Sequence, residues 1–300
     1  MNDPDLLFVT EEETTLRLDK VLTLRFPEYS RTYFQSLIEK NLVLVNGSIP
    51  KKSEKLKVGD EIEVEFAVTT EISIQPEPIP LDIIYEDAYL LAINKPAGMV
   101  VHPAVGNWTG TFVNALLYHC EKSSSDTLRP GIVHRLDKET SGVLIAAKNE
   151  MIQRKLVEAF AERQVQKEYR AICLGNPGSK RIEENVGRHP IKRKEMTTLQ
   201  EGGKVALTLC ETLSFNQGLS YVKLLPFTGR THQLRVHMRH IHCPILGDPI
   251  YGNNSANKKW NIYRQMLHAF RLSLIHPATH QKIELTAPLP EDMQRLIKLI

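Results

Sequence analysis

The stretch QPEPIPLD carries prolines at 76, 78 and 80, and it constrains this 300-residue chain more than any other feature. Proline locks its own φ and has no N–H to donate, so three at alternate positions suit an extended linker rather than a helix or paired strand. Apolar side chains must then be buried in two places, one on each side of the break. Length agrees, because 300 residues exceed one average domain and suit a small domain plus a large one. With 42% hydrophobic and 24% charged residues, the chain can build a core and is not disordered by composition.

Charge is distributed unevenly around the break. From Thr14 to Lys57 there are nine Lys/Arg against four Asp/Glu, a net of +5, whereas Val58 to Ile93 holds nine acids and no base. Such asymmetry points to a nucleic-acid contact, although a solvated surface of uneven charge gives the same counts. Cys120, Cys173, Cys210 and Cys243 lie far apart with no CxxC pair, which argues against a zinc ribbon, a redox dithiol or a disulfide framework. No apolar run approaches the roughly 18 residues of a membrane span. The start, MNDPDLLFVTEEE, lacks the basic and apolar regions of a signal peptide. A cytoplasmic protein without membrane contact is expected.

The first module, about residues 14–75 with the linker at about 70–80, reads as a small α+β unit. LRLDKVLTLRF has apolar residues at 18, 21, 22 and 26, a helical spacing. Ser30 can cap a second helix, SRTYFQSLIEK, whose Phe34, Leu37 and Ile38 share a face and which Asn41 ends. LVLVNGSIPKKSEKL reads as strand, Asn-Gly turn, strand, and EIEVEF alternates as a last strand. RLDKVL, SR before a helix, the VNG turn and LKVGDEIEV together resemble the S4 RNA-binding domain. The resemblance implies that the helix pair and turn face structured RNA, with Arg17, Lys20, Arg31, Lys51 and Lys52 on phosphates.

Residues 81–300 mix strand-like runs (YLLAINK, GVLIAAK, YRAICLG, KVALTLCETL, LSYVKLLPF) with amphipathic helices. EMIQRKLVEAFAERQ places Ile152, Leu156 and Phe160 on one face behind the cap Asn149. Strands interrupted by few helices suggest an α+β fold with a mostly antiparallel mixed sheet. There is no GxGxxG, P-loop or internal repeat.

Polar residues gather in three segments of this part: GIVHRLDKETSG, QKEYRA and FTGRTHQLRVHMRHIH. The last is rich in histidine, but it has no HxxxH or HExxH spacing and its arginines repel a cation, so no metal site is expected. An amphipathic helix burying Leu234, Val236, Met238 and Ile241 explains the same pattern. In the first segment one carboxylate, Asp137, sits between Arg135 and Lys138. Ordinary glycoside hydrolysis needs two flanking carboxylates, and Glu139 is a second whose placement the TSG turn leaves open. A nucleobase that is detached, retained and re-attached needs only one ionised acid, which a paired arginine would keep charged and oriented.

HRLDKETSGVLIAAK resembles the active-site motif of the RluA-type pseudouridine synthases, HRLDxxTSGLLLxAK, departing only at Val143. KEYRA and TGRTHQLRVH resemble the family's next two motifs, and LGDPIYG and LHAFRLSLIHP are similar to later segments. The resemblance implies a large catalytic domain over residues 81–300 that isomerises uridine to pseudouridine without a cofactor. It implies that Asp137 attacks or deprotonates at the target uridine, that Tyr169 stacks on the flipped uracil and helps with proton transfer, and that Arg230 pairs with Asp137. Arg135 would fill the gap the nucleotide leaves and Leu234 would wall the pocket, while His134, beside them in the motif, reads as a structural or orienting residue. Flipping is needed because C5 and the glycosidic bond are inaccessible in a stacked helix.

GRHPIKRKEM, with Arg188, Lys192 and Arg193, is a basic insertion that on its own is an ordinary solvated loop. In the family's context it resembles a segment gripping RNA, and most resembles the RluD-like subgroup acting on large-subunit (23S) ribosomal RNA. The expected partner is that RNA or a pre-ribosomal particle, met by a monomeric enzyme. The competing expectation is a catalytically inactive, S4-containing RNA-binding or ribosome-assembly protein.

Overall fold

The structure, a computed structural model, describes residues 5–27, 29, 31–51, 54–66, 74–102, 109–121, 130–192 and 195–300. Its contacts divide the chain into two units, Met1–Ile72 and Ser73–Ile300. The first unit runs β1 (Asp5–Phe8), a 3-10 turn (Glu11–Glu13), α1 (Leu18–Arg25), α2 (Arg31–Glu39), β2 (Val43–Val45) and β3 (Glu61–Val64). Leu18, Val21 and Leu22 of α1 and Phe34, Leu37 and Ile38 of α2 are buried together with Val43, Ile62 and Val64. Asn41 adopts φ +59° and turns the chain out of α2, while the expected cap Ser30 lies outside the described residues.

Asn46 and Gly47 form the expected turn, both at positive φ. The segment after it is not the predicted strand. β3 pairs with β2 on one side and with β1 on the other. Of the IPKKSEKL segment only Pro50 and Leu56 are buried among the described residues, and proline cannot donate to a ladder. EIEV instead sends Ile62 and Val64 into the core.

The second unit runs β4 (Ile83–Glu86), β5 (Leu90–Lys95), α3 (Phe112–His119), β6 (Ser141–Ala147), α4 (Glu150–Ala161), β7 (Gln166–Leu174), β8 (Lys180–Arg188) and β9 (Met196–Leu199). It continues through β10 (Lys204–Asn216), β11 (Leu219–Pro226), α5 (Gln233–His240), α6 (Asn254–Trp260), β12 (Leu267–Ile275), β13 (Lys282–Thr286) and α7 (Glu291–Ile297). The sheet order is β4-β5-β6-β12-β7-β11-β10-β8-β9, with β13 beside β12. Every described pair is antiparallel except β6 with β12.

Burial explains which strands are central. β6 is buried along its whole length because helices cover both faces. Leu90, Ala92, Val143, Ile145 and Ala147 meet Ile152 and Leu156 of α4, whereas Leu91, Ile93, Leu144 and Ala146 meet Phe112 and Leu116 of α3. Asn149 starts α4 by accepting the Ile152 N–H at 3.0 Å. Gly142 at φ +112° lets β12 approach, since a Cβ there would run into the Ala269 carbonyl.

Candidate active site

Asp137 is placed by its neighbours rather than by a helix or strand. Leu136 is buried against Leu91, Ile93 and Leu144, which anchors the loop before β6. The Asp137 carbonyl accepts the Thr140 N–H at 3.0 Å, and Thr140 Oγ1 accepts from Gln265 Nε2 at 3.0 Å. Between them, the Lys138 carbonyl accepts the Gly98 N–H at 2.9 Å and Lys95 Nζ at 3.0 Å. Lys95 is fully buried, also donates to the Pro96 and Met99 carbonyls, and is pushed down to about 8 by burial. The turn is thus pinned on both sides while its carboxylate points into a cavity of about 430 Å³.

Asp137, Tyr169, Arg230, Arg135, Leu234 and His134 all line that one cavity. The pairing expected of Arg230 is instead made by Arg235. Arg235 Nη1 donates to Asp137 Oδ2 at 2.9 Å, while its Nε and Nη2 hold both oxygens of Asp248 at 2.7 and 3.0 Å. The reason is helical phase. α5 begins at Gln233, so Arg235 lies on its buried side with a side chain 5% exposed, whereas Arg230 precedes the helix and sends Nε to the Val205 carbonyl at 3.2 Å. Asp248 is fully buried and its Oδ1 also accepts the Ile250 and Tyr251 N–H groups, both at 2.9 Å. Asp137 Oδ1 has no hydrogen-bond partner among the described residues, so one oxygen is held and the other faces the cavity.

The amphipathic pattern can show His232 to a cleft, and it does line the cavity, whereas no motif role attaches to Asp248 or Tyr251. His232 adopts φ +56° ahead of α5 and brings Nε2 to 3.9 Å from Asp137 Oδ2. Its Nδ1 lies 2.8 Å from the Tyr251 hydroxyl, which accepts the Met196 N–H at 2.8 Å. In the tautomer that turns Nε2–H toward the carboxylate, Nδ1 accepts the Tyr251 hydroxyl proton. Burial keeps the His232 pKa below the usual histidine range, although Asp137 opposes it. LGDPIYG signals Asp248 and Tyr251, but nothing along the chain pairs position 248 with 235.

Tyr169 stays a phenol: burial, then the charge of Asp137, raise its pKa. His134 is no base at neutral pH, since burial and then Lys167 push it down to about 3. Its Nε2 accepts the Ile145 N–H at 3.0 Å and its ring stacks on Phe160 with centroids 4.7 Å apart. Arg135 is exposed at the rim. Among the described residues no three His, Cys, Asp or Glu side chains are grouped to hold a metal ion. No helix among them is long and apolar enough to cross a membrane.

In the first unit Arg17 and Arg31 converge on the buried Asp19, at 3.2 and 3.0 Å, with their side chains half-exposed. Lys20 and Lys51 are exposed, and Lys52 lies outside the described residues. In the second unit Arg188 ends β8 exposed, Lys192 pairs with Glu195 at 3.2 Å, and Arg193 lies outside the described residues.

Residues 89–240 match the RNA pseudouridylate synthase family and residues 16–62 match the S4 domain. A ribosomal large subunit pseudouridine synthase D of Neisseria meningitidis is 42% identical over 95% of this chain and 78% of its own length. An uncharacterized RNA pseudouridine synthase of Bacillus subtilis is 41% identical over 99% of this chain and 98% of its own. The protein of Escherichia coli K12 with the same name as the Neisseria one is 39% identical over 97% and 93%. Among solved structures, human RNA pseudouridylate synthase domain containing 1 superposes with a TM-score of 0.58 at 27% identity, covering 74% of this chain and 95% of that one.

Proposed function

Because this chain belongs to the RNA pseudouridylate synthase family and carries an S4 domain in front, we propose that it converts uridines of large-subunit ribosomal RNA to pseudouridine. One observation carries the chemistry: Asp137 offers a free carboxylate oxygen to the cavity while Arg235 holds the other. An ionised acid held this way can act at the sugar of a flipped uridine, either by attacking C1′ or by removing a sugar proton. The N1–C1′ bond breaks, the retained uracil turns, and a C5–C1′ bond forms. N1 gains a proton and C5 loses one, so the reaction is an isomerisation with no net proton change.

The other residues serve that exchange. The Tyr169 ring is the stacking surface for the base, and Leu234 closes the apolar wall. Arg135 stands at the rim, where a side chain can replace the extruded nucleotide in the RNA stack. Arg230 reaches the same cavity without touching Asp137 in this state, which suits a contact with the RNA. Arg17, Lys20, Arg31 and Lys51 of the S4 domain, with Arg188 and Lys192, supply phosphate contacts. One chain lines the whole cavity, so a monomer suffices, and a substrate in ribosomal RNA suits a cytoplasmic location. An inactive binding protein would not need the buried Asp248–Arg235–Asp137 chain. The deciding experiment maps pseudouridines in large-subunit ribosomal RNA from cells with and without the protein. Loss of one or more sites, restored by wild type and not by Asp137→Asn, is expected. Identical maps overturn the substrate.

A further inference from the structure

Lys167 and Arg163 face the cavity without an acid to answer them. Lys167 precedes Tyr169 by two residues on β7, so both side chains leave the strand on one face, about 7 Å apart along it. Its ammonium reaches the turn between β11 and α5: a Cβ built on Gly229 would stand 3.9 Å from Nζ. Burial, and then the like charge of Arg163, hold the Lys167 pKa below the usual lysine range. Neither side chain makes an ion pair or hydrogen bond among the described residues, and the ammonium of Lys167, drawn partly out of water beside an exposed Arg163, is unfavourable until an anion joins it. Other buried cations of this unit are answered. Arg235 has two carboxylates, Arg264 meets Asp292 at 2.6 Å, and Lys95 has three carbonyls.

Position within the cavity tells which anion. Leu136, Gln233, Leu234 and Leu267 are buried at its floor, whereas Arg163, Phe227 and Gly229 are exposed at its mouth. Asp137 acts on Tyr169, but the charge acting on Lys167 comes from Arg163. A uridine whose base occupies the floor leaves its backbone at the mouth, and the anion there is a phosphodiester. We infer that Lys167 and Arg163 bind a phosphodiester of the RNA strand beside the flipped uridine and so set how deeply the base enters. This rests on the RNA-modifying function proposed above.

The test uses the full-length protein and an unmodified large-subunit ribosomal RNA transcript, with kcat/KM measured against salt. Lys167→Met should lower kcat/KM about tenfold at low salt. It should also flatten the slope of log kcat/KM against log salt by about 0.7–0.9, the share of one phosphate contact. Arg163→Ala should act in the same direction, Lys167→Arg should restore most of the loss, and melting should not fall in any of them. A Lys167→Met enzyme that loses turnover with the slope intact would show that the ammonium serves the uracil or the fold, and would overturn the site. Unchanged kcat/KM would overturn it too. If wild type converts no uridine in this transcript, the proposed substrate fails instead. The phosphate site is then read from the salt slope of RNA binding by wild type and Lys167→Met.

Discussion

Asp137 and the two arginines near it behave differently although all three lie in recognisable motifs. Asp137→Asn keeps the shape and the Arg235 contact but removes the charge. Conversion should fall by several orders of magnitude. RNA affinity should change by less than about tenfold, or 1.4 kcal/mol, because phosphate contacts carry it. Melting should move little, since Asp248 still neutralises Arg235. A folded Asn variant working at the wild-type rate would falsify the proposed mechanism. Arg235→Met is the opposite case. It strands Asp248, which is fully buried, and should cost about 3–5 kcal/mol as well as activity. Arg230→Met removes a partly exposed side chain bonded to one carbonyl and should cost within about 0.5 kcal/mol. Equal melting losses in the two variants would contradict the pairing described here.

At the scale of elements, the site depends on where β6 and β12 meet. They form the parallel pair through His268–Ser141 and Ala269–Gly142, just after the Asp137 turn. Gly142→Ala would place a methyl against the Ala269 carbonyl at a φ that side chains rarely adopt. A loss of about 2–3 kcal/mol is expected from strain alone, with reduced turnover in whatever remains folded. Chemical denaturation and single-turnover rates would measure both, and a neutral Gly142→Ala would mean the two strands have room to separate. The helix α4 was legible in advance, because Ile152 and Leu156 repeat at one period behind the cap Asn149. The brevity of α5 was not. It starts only at Gln233, after a left-handed His232, and that start decides which arginine reaches Asp137.

Across the whole molecule the eleven histidines all lie beyond residue 101, so none belongs to the first unit. His134 is held at about 3 and His237 and His268 at about 4, each chiefly by burial. Their folded pKa values lie below the unfolded one near 6.5, so their contribution is present above about pH 6.5 and is lost as pH falls toward 4. Each histidine can add a slope of about 1.4 kcal/mol per pH unit. Melting of the second unit should therefore drop between pH 6.5 and 4.5, before most carboxylates titrate, while the first unit holds. Calorimetry with assigned transitions would check this, and a pH-independent second transition would contradict it. Removing residues 1–72 should weaken RNA binding and reduce its salt slope by about 0.7–0.9 per lost phosphate contact. An unchanged slope would make the basic face of the S4 domain mere solvated surface.

Sequence alone determined what local chemistry can carry. The alternating prolines read as the break between two modules, but the chain divides at 72/73 and their segment packs with the second unit, where Asn114 Nδ2 donates to the Gln75 carbonyl at 2.8 Å. Periodicity placed α1 and α4, strand-like runs marked β6, β10 and β11, and the motif HRLDKET singled out Asp137. Each of these signals lies within one stretch of chain, where spacing maps directly onto a helix face or strand face. Tertiary structure alone decided the partner of that acid. Arg230 and Arg235 share one motif and the same charge, and only the phase of α5 against the β6 loop separates them. Asp248, His232 and the exposed mouth around Lys167 follow the same logic. An ion pair spanning 98 positions is set by packing of distant elements, and no local pattern encodes that distance.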